Sequence, residues 1–214
     1  VLLSASTGNI DINANVDAGS GHISALATSG TLTQAADITT TGGSVDVEAN
    51  AIAMNDGTTT STSDVSESIR YKSTTTLTVG DMSAGNDISL IAASITDSGT
   101  TDTDLSAGEV RINVTGTGGA GTSANHLETA TGTLSAVVQD GGLYITETDA
   151  LNVADLNAIS VSRIGTDGAV SSTITDAVQT NIVSGGDVVL NTTSGSIRLY
   201  DILVSTNINA AGEV

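Results

Sequence analysis

Four short segments decide the architecture: Gly8-Asn9-Ile10-Asp11-Ile12, Gly21-His22-Ile23-Ser24-Ala25, Gly30-Thr31-Leu32-Thr33 and Gly43-Ser44-Val45-Asp46-Val47. Each reads glycine, any residue, aliphatic, polar, then usually aliphatic or small. Gly8 and Gly30 stand 22 residues apart, as do Gly21 and Gly43, so steps of 13 and 9 residues together close one period. The pattern returns at Asp87-Ile88-Ser89-Leu90, Glu109-Val110-Arg111-Ile112-Asn113-Val114, Gly132-Thr133-Leu134, Gly142-Leu143-Tyr144-Ile145, Asp187-Val188-Val189-Leu190 and Ser196-Ile197-Arg198-Leu199.

Alternation of apolar and polar residues over four to six positions marks half-buried strands. The Gly, Asn, Asp, Ser and Thr before each strand supply turn chemistry. No segment carries a capped helical stripe; Asp149 to Ile159 comes nearest and reads better as strands. A propeller blade needs roughly 40 residues, and antiparallel sandwiches do not usually keep a fixed period of two unequal steps. The period therefore predicts an all-β, parallel β-helix (β-solenoid) of about 22 residues per coil. The chain of 214 residues would wind about nine or ten coils into a rod on the order of 45 Å long. It reads as one module over 1–214, with loops leaving the stack near 57–76 and 116–126. Strict periodicity also fades between Glu147 and Thr180.

Composition agrees. There is no Pro, Cys, Trp or Phe, and the only aromatics are Tyr71, Tyr144 and Tyr200. Val, Ile, Leu and Ala must fill the interior, which suits a slim core of stacked aliphatic rungs. The net charge of −19 sets 24 acids against Arg70, Lys72, Arg111, Arg163 and Arg198. Such a surface disfavours nucleic acid and anionic membranes. No apolar stretch is long enough to cross a bilayer as a helix.

Neither end looks capped, since the chain opens on Val1-Leu2-Leu3 and stops at Gly212-Glu213-Val214. Joining end to start gives a run that resembles Gly186-Asp187-Val188-Val189-Leu190-Asn191-Thr192-Thr193-Ser194-Gly195-Ser196-Ile197 with one insertion. Two expectations follow: one period of a tandem array or a protomer stacking head to tail, and a cut from one long β-helix.

The Gly-x-Ile-x-Ile units, with Ala36-Asp37-Ile38-Thr39-Thr40-Thr41-Gly42-Gly43-Ser44-Val45-Asp46-Val47 as the clearest, resemble the filamentous-haemagglutinin-like repeats of giant bacterial surface proteins and adhesins. The resemblance covers nearly the whole chain and is one of style. It implies a right-handed β-helix, secretion to the cell surface, and a structural or adhesive role with no catalytic residues. The partners it implies are neighbouring copies or repeats end to end, and surface glycans or other cells.

Residue patterns that carry chemistry are few. Gly116, Gly118 and Gly121 fit Gly-x-Gly-x-x-Gly, but no apolar stripe follows to make the helix a dinucleotide site needs. No Gly-x-Ser-x-Gly occurs. His22 is expected solvated on an outward position, and His126 with Glu128 is too little for zinc. Carbohydrate cleavage needs paired carboxylates across a sugar cleft, and such clefts present aromatics or cations that this chain scarcely has. Carbohydrate binding or cleavage and a tandem β-sandwich adhesin are the alternative readings. No cofactor is required; calcium is the one candidate, through Asp97, Asp102, Asp104 and Glu109 in a loop-rich stretch. Asn113-Val114-Thr115 and Asn191-Thr192-Thr193 fit the glycosylation sequon.

Overall fold

A computed structural model describes residues 1–99, 102–200 and 208–214. Among the described residues all regular structure is strand, and 20 of the strands join one parallel sheet wound as a β-solenoid of about nine turns. Leu2 pairs with Ser24, Ile10 with Leu32, Val16 with Ile38, Ile23 with Val45 and Ile88 with Val110, each 22 residues along.

The register stacks like on like. Ile23, Val45, Ile69, Ile88, Val110, Leu134 and Val153 form one ladder through successive coils, every member shut off from solvent. Two residues along lies a second ladder, Ala25, Val47, Tyr71, Leu90, Ile112, Ala136 and Ile182. Tyr71 is the one ring in this core; its hydroxyl meets Gln34 Oε1 at 2.8 Å and Thr60 Oγ1 at 2.7 Å, so no polar atom of the trio is stranded. Burying an aliphatic side chain contributes roughly 1.5–3 kcal/mol, and only the neighbouring coils make that burial possible.

The corners explain the glycine period. A Cβ on Gly30 would run into the carbonyl of Gly8, and one on Gly43 into that of Gly21, one coil below. The Asn and Asp of the turns serve the same stacking. Asn9 Oδ1 accepts from Thr31 N, Asn15 Oδ1 from Asp37 N and Asp37 Oδ1 from Thr59 N, each one coil on.

Two expectations about loops change. The stretch 57–76 does not leave the stack. Thr59–Thr62 pairs with Ile38–Thr40 and Asp81–Ala84, while Ile69–Ser73 lies between Val45–Met54 and Asp87–Ala92. Its Thr-rich composition hid the period because Thr60 and Thr62 point inward and satisfy their hydroxyls internally. The stretch 116–126 is a turn region, with Ala120 still bridged to Ile95 below and Leu143 above, and no helix follows its glycines.

The true excursion lies where periodicity fades. Ala136 pairs with Ile182, 46 residues on, because 154–181 leaves the coil. Ile159–Ile164 and Val170–Asp176 form the only antiparallel pair among the described strands. This hairpin folds back along the outside of the rod and buries Ile159, Val161 and Ile164 beneath it.

Candidate functional site

Two places gather ionisable side chains, and both arise from in-register stacking. The first is the flank under the hairpin. One outward position carries Ser24, Asp46, Arg70, Ser89, Arg111 and Ser135 on six successive coils. A solvated face would leave these exposed, yet all six are buried. The segment 159–181 covers them and supplies their partners. Ile164 N donates to Ser24 Oγ, and Ser162 N to Ser44 Oγ nearby. Asp46 takes Arg70 Nη1 at 2.9 Å and Arg163 Nε at 2.6 Å. Asp176 takes Arg70 Nε at 3.1 Å and the Ser89 hydroxyl at 2.7 Å. Arg111 donates to Ala177 O, and Ser135 to Asn181 O. Burial pushes the Glu48 carboxyl up, but Arg163, Lys72 and Arg70 outweigh it and hold the group below its ordinary range. The segment is thus an ion-paired strap. At about 4.8 Å per coil it spans roughly 24 Å of the rod.

The second place is an acidic corner. Met82 pairs with Leu105 and Leu105 with Thr129, so Asp81, Asp104 and Glu128, one residue earlier in each strand, form a column through three coils. Asp97 closes the strand Ser94–Asp97 beside it, and one oxygen from each of Asp97, Asp104 and Glu128 lies within 4.8 Å of the others. Asp102 and Asp56 crowd the same corner, with oxygens 2.6 and 3.0 Å from where a Gly99 Cβ would sit. Among the described residues, no ion pair involves any of these acids.

The local hydrogen bonds hold the carboxylates in place. Gly99 N donates to Asp97 Oδ1 at 2.6 Å, Asn125 Nδ2 to Asp97 Oδ2 at 2.9 Å, and Glu128 N to Asp104 Oδ2 at 2.7 Å. Asp104 is 1% exposed, and burial together with Asp97 pushes its carboxyl up to about 9. Burial and the neighbouring acids also raise Asp81 and Glu128. An all-oxygen set of this kind suits a hard cation and not zinc, which favours nitrogen and sulfur.

Of the four expected metal ligands, Asp97 and Asp104 meet, and Asp102 lies within the cluster's field, beside Asp81. Glu109 does not join them. It sits five residues along the strand, in register with Asp87, and that pair forms a separate like-charged contact in which burial and Glu109 push Asp87 up to about 6. Glu128 takes its place. Sequence proximity misled here because the corner is built across coils, and the step from Asp104 to Glu128 is 24 residues, so the 22-residue period alone points to His126 instead. The strap residues Arg163 and Asp176 were also missed, and only the loss of period around them signalled an excursion. His22, expected solvated, is half-buried, with Nδ1 accepting from Ser44 N at 2.9 Å.

None of the family models, curated proteins or solved structures compared with this chain matches it.

Proposed function

We propose that the chain is a non-enzymatic structural segment of an extracellular rod, of the filamentous-haemagglutinin-like kind its repeats resemble, and that copies of it stack head to tail. One observation carries this reading: among the described residues, apolar side chains line a hollow at each end of the aliphatic column. At one end Leu3, Ile10, Ile12 and Val16 line an apolar hollow. At the other, Val188, Leu190, Ile197, Leu199, Ile208 and Val214 line another, with Leu199 52% exposed.

The occupant that fits each hollow is a coil of the same kind, from the opposite end of a neighbouring copy or repeat. Among the described strands every coil-to-coil pairing is parallel, so the edge of the last coil complements that of the first and not itself. Contacts between unlike faces that do not close on themselves grow into filaments. The side surface supports a structural reading over a carbohydrate-active one, since Tyr71, one of only three aromatics, is sealed in the core. The dispersed net charge of −19 keeps such a polymer soluble.

Sedimentation velocity on the purified chain tests the idea. The expected result is a ladder of species that lengthens with concentration. Ile10→Lys and Leu199→Lys each place a charge on one end, and edge lysines block strand addition. Each variant alone, and an equimolar mixture of both, should stop at dimers or below. A chain that stays monomeric at its solubility limit, or a ladder unchanged by both substitutions, overturns the proposal.

A further inference from the structure

The two edges of the strap hairpin are used differently. The edge of Ile159–Ile164 faces the rod, where Ser162 N donates to Ser44 Oγ at 2.8 Å and Ile164 N to Ser24 Oγ at 2.9 Å. Ser162 lies opposite Thr173, with its amide turned away from that partner. In an antiparallel ladder such a pair sits between hydrogen-bonded ones, so the N–H and C=O of Thr173 also point away from the hairpin. Those of Thr175, two residues on, point the same way. Among the described strands, Val170–Asp176 pairs with Ile159–Ile164 alone. Its far edge is therefore an open row of donors and acceptors, and Val170, Ser171, Ser172, Thr173 and Thr175 are all exposed along it.

Open edges are usually guarded by charged side chains or proline. From Val170 to Thr175 there is no charged residue and no proline, in a chain of net charge −19. Asp176, which follows, is buried against Arg70. The edge thus carries nothing that repels a second copy of itself, and its sequence is self-complementary. In an antiparallel pairing centred on Ile174, Thr173 of one copy faces Thr175 of the other, and Val170 faces Val178. These valines are 50% and 66% exposed, and each gains an apolar partner across the seam. From this geometry we infer that the strap edge is a docking site for the same edge of a second copy, joining two rods side by side. Such a contact is two-fold and closes on itself. It uses neither end of the rod, so it holds or fails independently of head-to-tail stacking.

A two-stranded seam is marginal on its own, so covalent trapping reads it better than sedimentation. The chain has no cysteine. Ile174→Cys puts one thiol on the two-fold axis, at a pair without hydrogen bonds across the seam, where Cα atoms approach to about 4.5 Å. That is within disulfide reach. Every test chain also carries Ile10→Lys, which blocks one end of each copy and removes end-to-end contacts. Under mild oxidation Ile174→Cys should dimerise at least about tenfold faster than Val65→Cys, which is 80% exposed elsewhere on the rod. An equimolar mixture of Val170→Cys and Val178→Cys should give mainly the mixed dimer. Adding Thr173→Pro to Ile174→Cys removes the outward donor and spares the bonds within the hairpin, and should slow trapping at least about fivefold. Thr173→Glu with Thr175→Glu keeps every amide, sets like charges directly opposite and should slow it too. Hydrogen exchange over 159–176 confirms that the hairpin stays folded in each variant. Trapping no faster than in Val65→Cys, no excess of the mixed dimer, or rates unchanged by both edge variants overturns the inference.

Discussion

The strapped flank and the acidic corner are built by one rule and end in opposite electrostatic states. Parallel in-register stacking sets a residue beside its equivalent in the next coil, about 4.8 Å away. On the flank that position sets Asp46 against Arg70 and keeps the neutral Ser89 between Arg70 and Arg111, so no two like charges are neighbours. At the corner like charges are neighbours, and Asp81, Asp104 and Glu128 stack acid on acid. Two like charges at that separation repel by on the order of 3 kcal/mol at an effective dielectric of 20. Opposite charges gain a similar amount before desolvation is counted. The difference shows in the carboxyl groups themselves: Glu48 is held below its ordinary range and Asp104 is driven up to about 9. A solenoid therefore amplifies whatever charge pattern its period carries.

The flank breaks most severely at Asp46. It is 0% exposed and neutralises Arg70 and Arg163 together. Asp46→Asn leaves two guanidinium groups short of a partner under the strap, and removing one member of a buried pair costs about 3–5 kcal/mol. Urea denaturation should show that loss with an unchanged slope. A cost below about 1 kcal/mol would mean that Glu48 and Asp176 suffice to hold both arginines.

Arg163→Ala asks a narrower question, since Arg163 belongs to the strap and Asp46 to the rod. The expected cost is about 1–3 kcal/mol, in line with charge-assisted hydrogen bonds. Hydrogen exchange should rise selectively over 159–176, whose remaining anchors are Asp176 and the serine contacts. The ladder through Ile23, Val45 and Ile69 should keep its protection. Uniform loosening of strap and coils would show that the strap supports the stack instead of riding on it.

The stack was legible in the sequence because its signal is repeated. Gly8, Gly30, Gly21 and Gly43 announce the period, and the packing of each glycine on the one a coil below explains it. The coil through Thr60 and Ile69 was less legible, because threonine replaces aliphatics at inward positions and the step from Val45 to Ile69 stretches to 24 residues. The strap was illegible as a contact. Nothing near Arg163 says that its partner is Asp46, 117 residues earlier. The corner was half legible: Asp97 and Asp104 are neighbours in sequence, whereas Glu128 joins only through the register.

The corner's principle recurs in a milder form at Asp87 and Glu109, and this pair tests it by pH. Burial and Glu109 push Asp87 up to about 6 from an ordinary 3.8. Between those values the folded chain keeps a proton that the unfolded chain has released. Stability from this group is therefore full below about pH 4 and is lost as pH rises to about 6. Asp87→Asn should flatten that slope and add about 1 kcal/mol near neutrality, after discounting for the partial exposure of the site. Paired urea titrations of both proteins across the window isolate the term from the other acids. A variant curve parallel to the parent's would show that the pair repels no more than two solvated carboxylates.

Lys72 sets the lower bound of the comparison. Its Nζ sits 3.3 Å from Glu48 Oε1, two residues along the strand from the buried row, and its side chain is 42% exposed. Glu48 keeps Arg163 at 2.6 Å without it. Water and salt screen an exposed pair, and holding a long side chain in one rotamer offsets much of the gain. Lys72→Ala should therefore cost no more than about 0.5 kcal/mol, and added salt should erase even that, while the cost of Arg163→Ala persists. Both cations touch the same carboxylate, so only their position relative to the strap distinguishes them. Equal, salt-insensitive costs would show the network acting as one unit, in which case cover by the strap is not what gives the flank its strength.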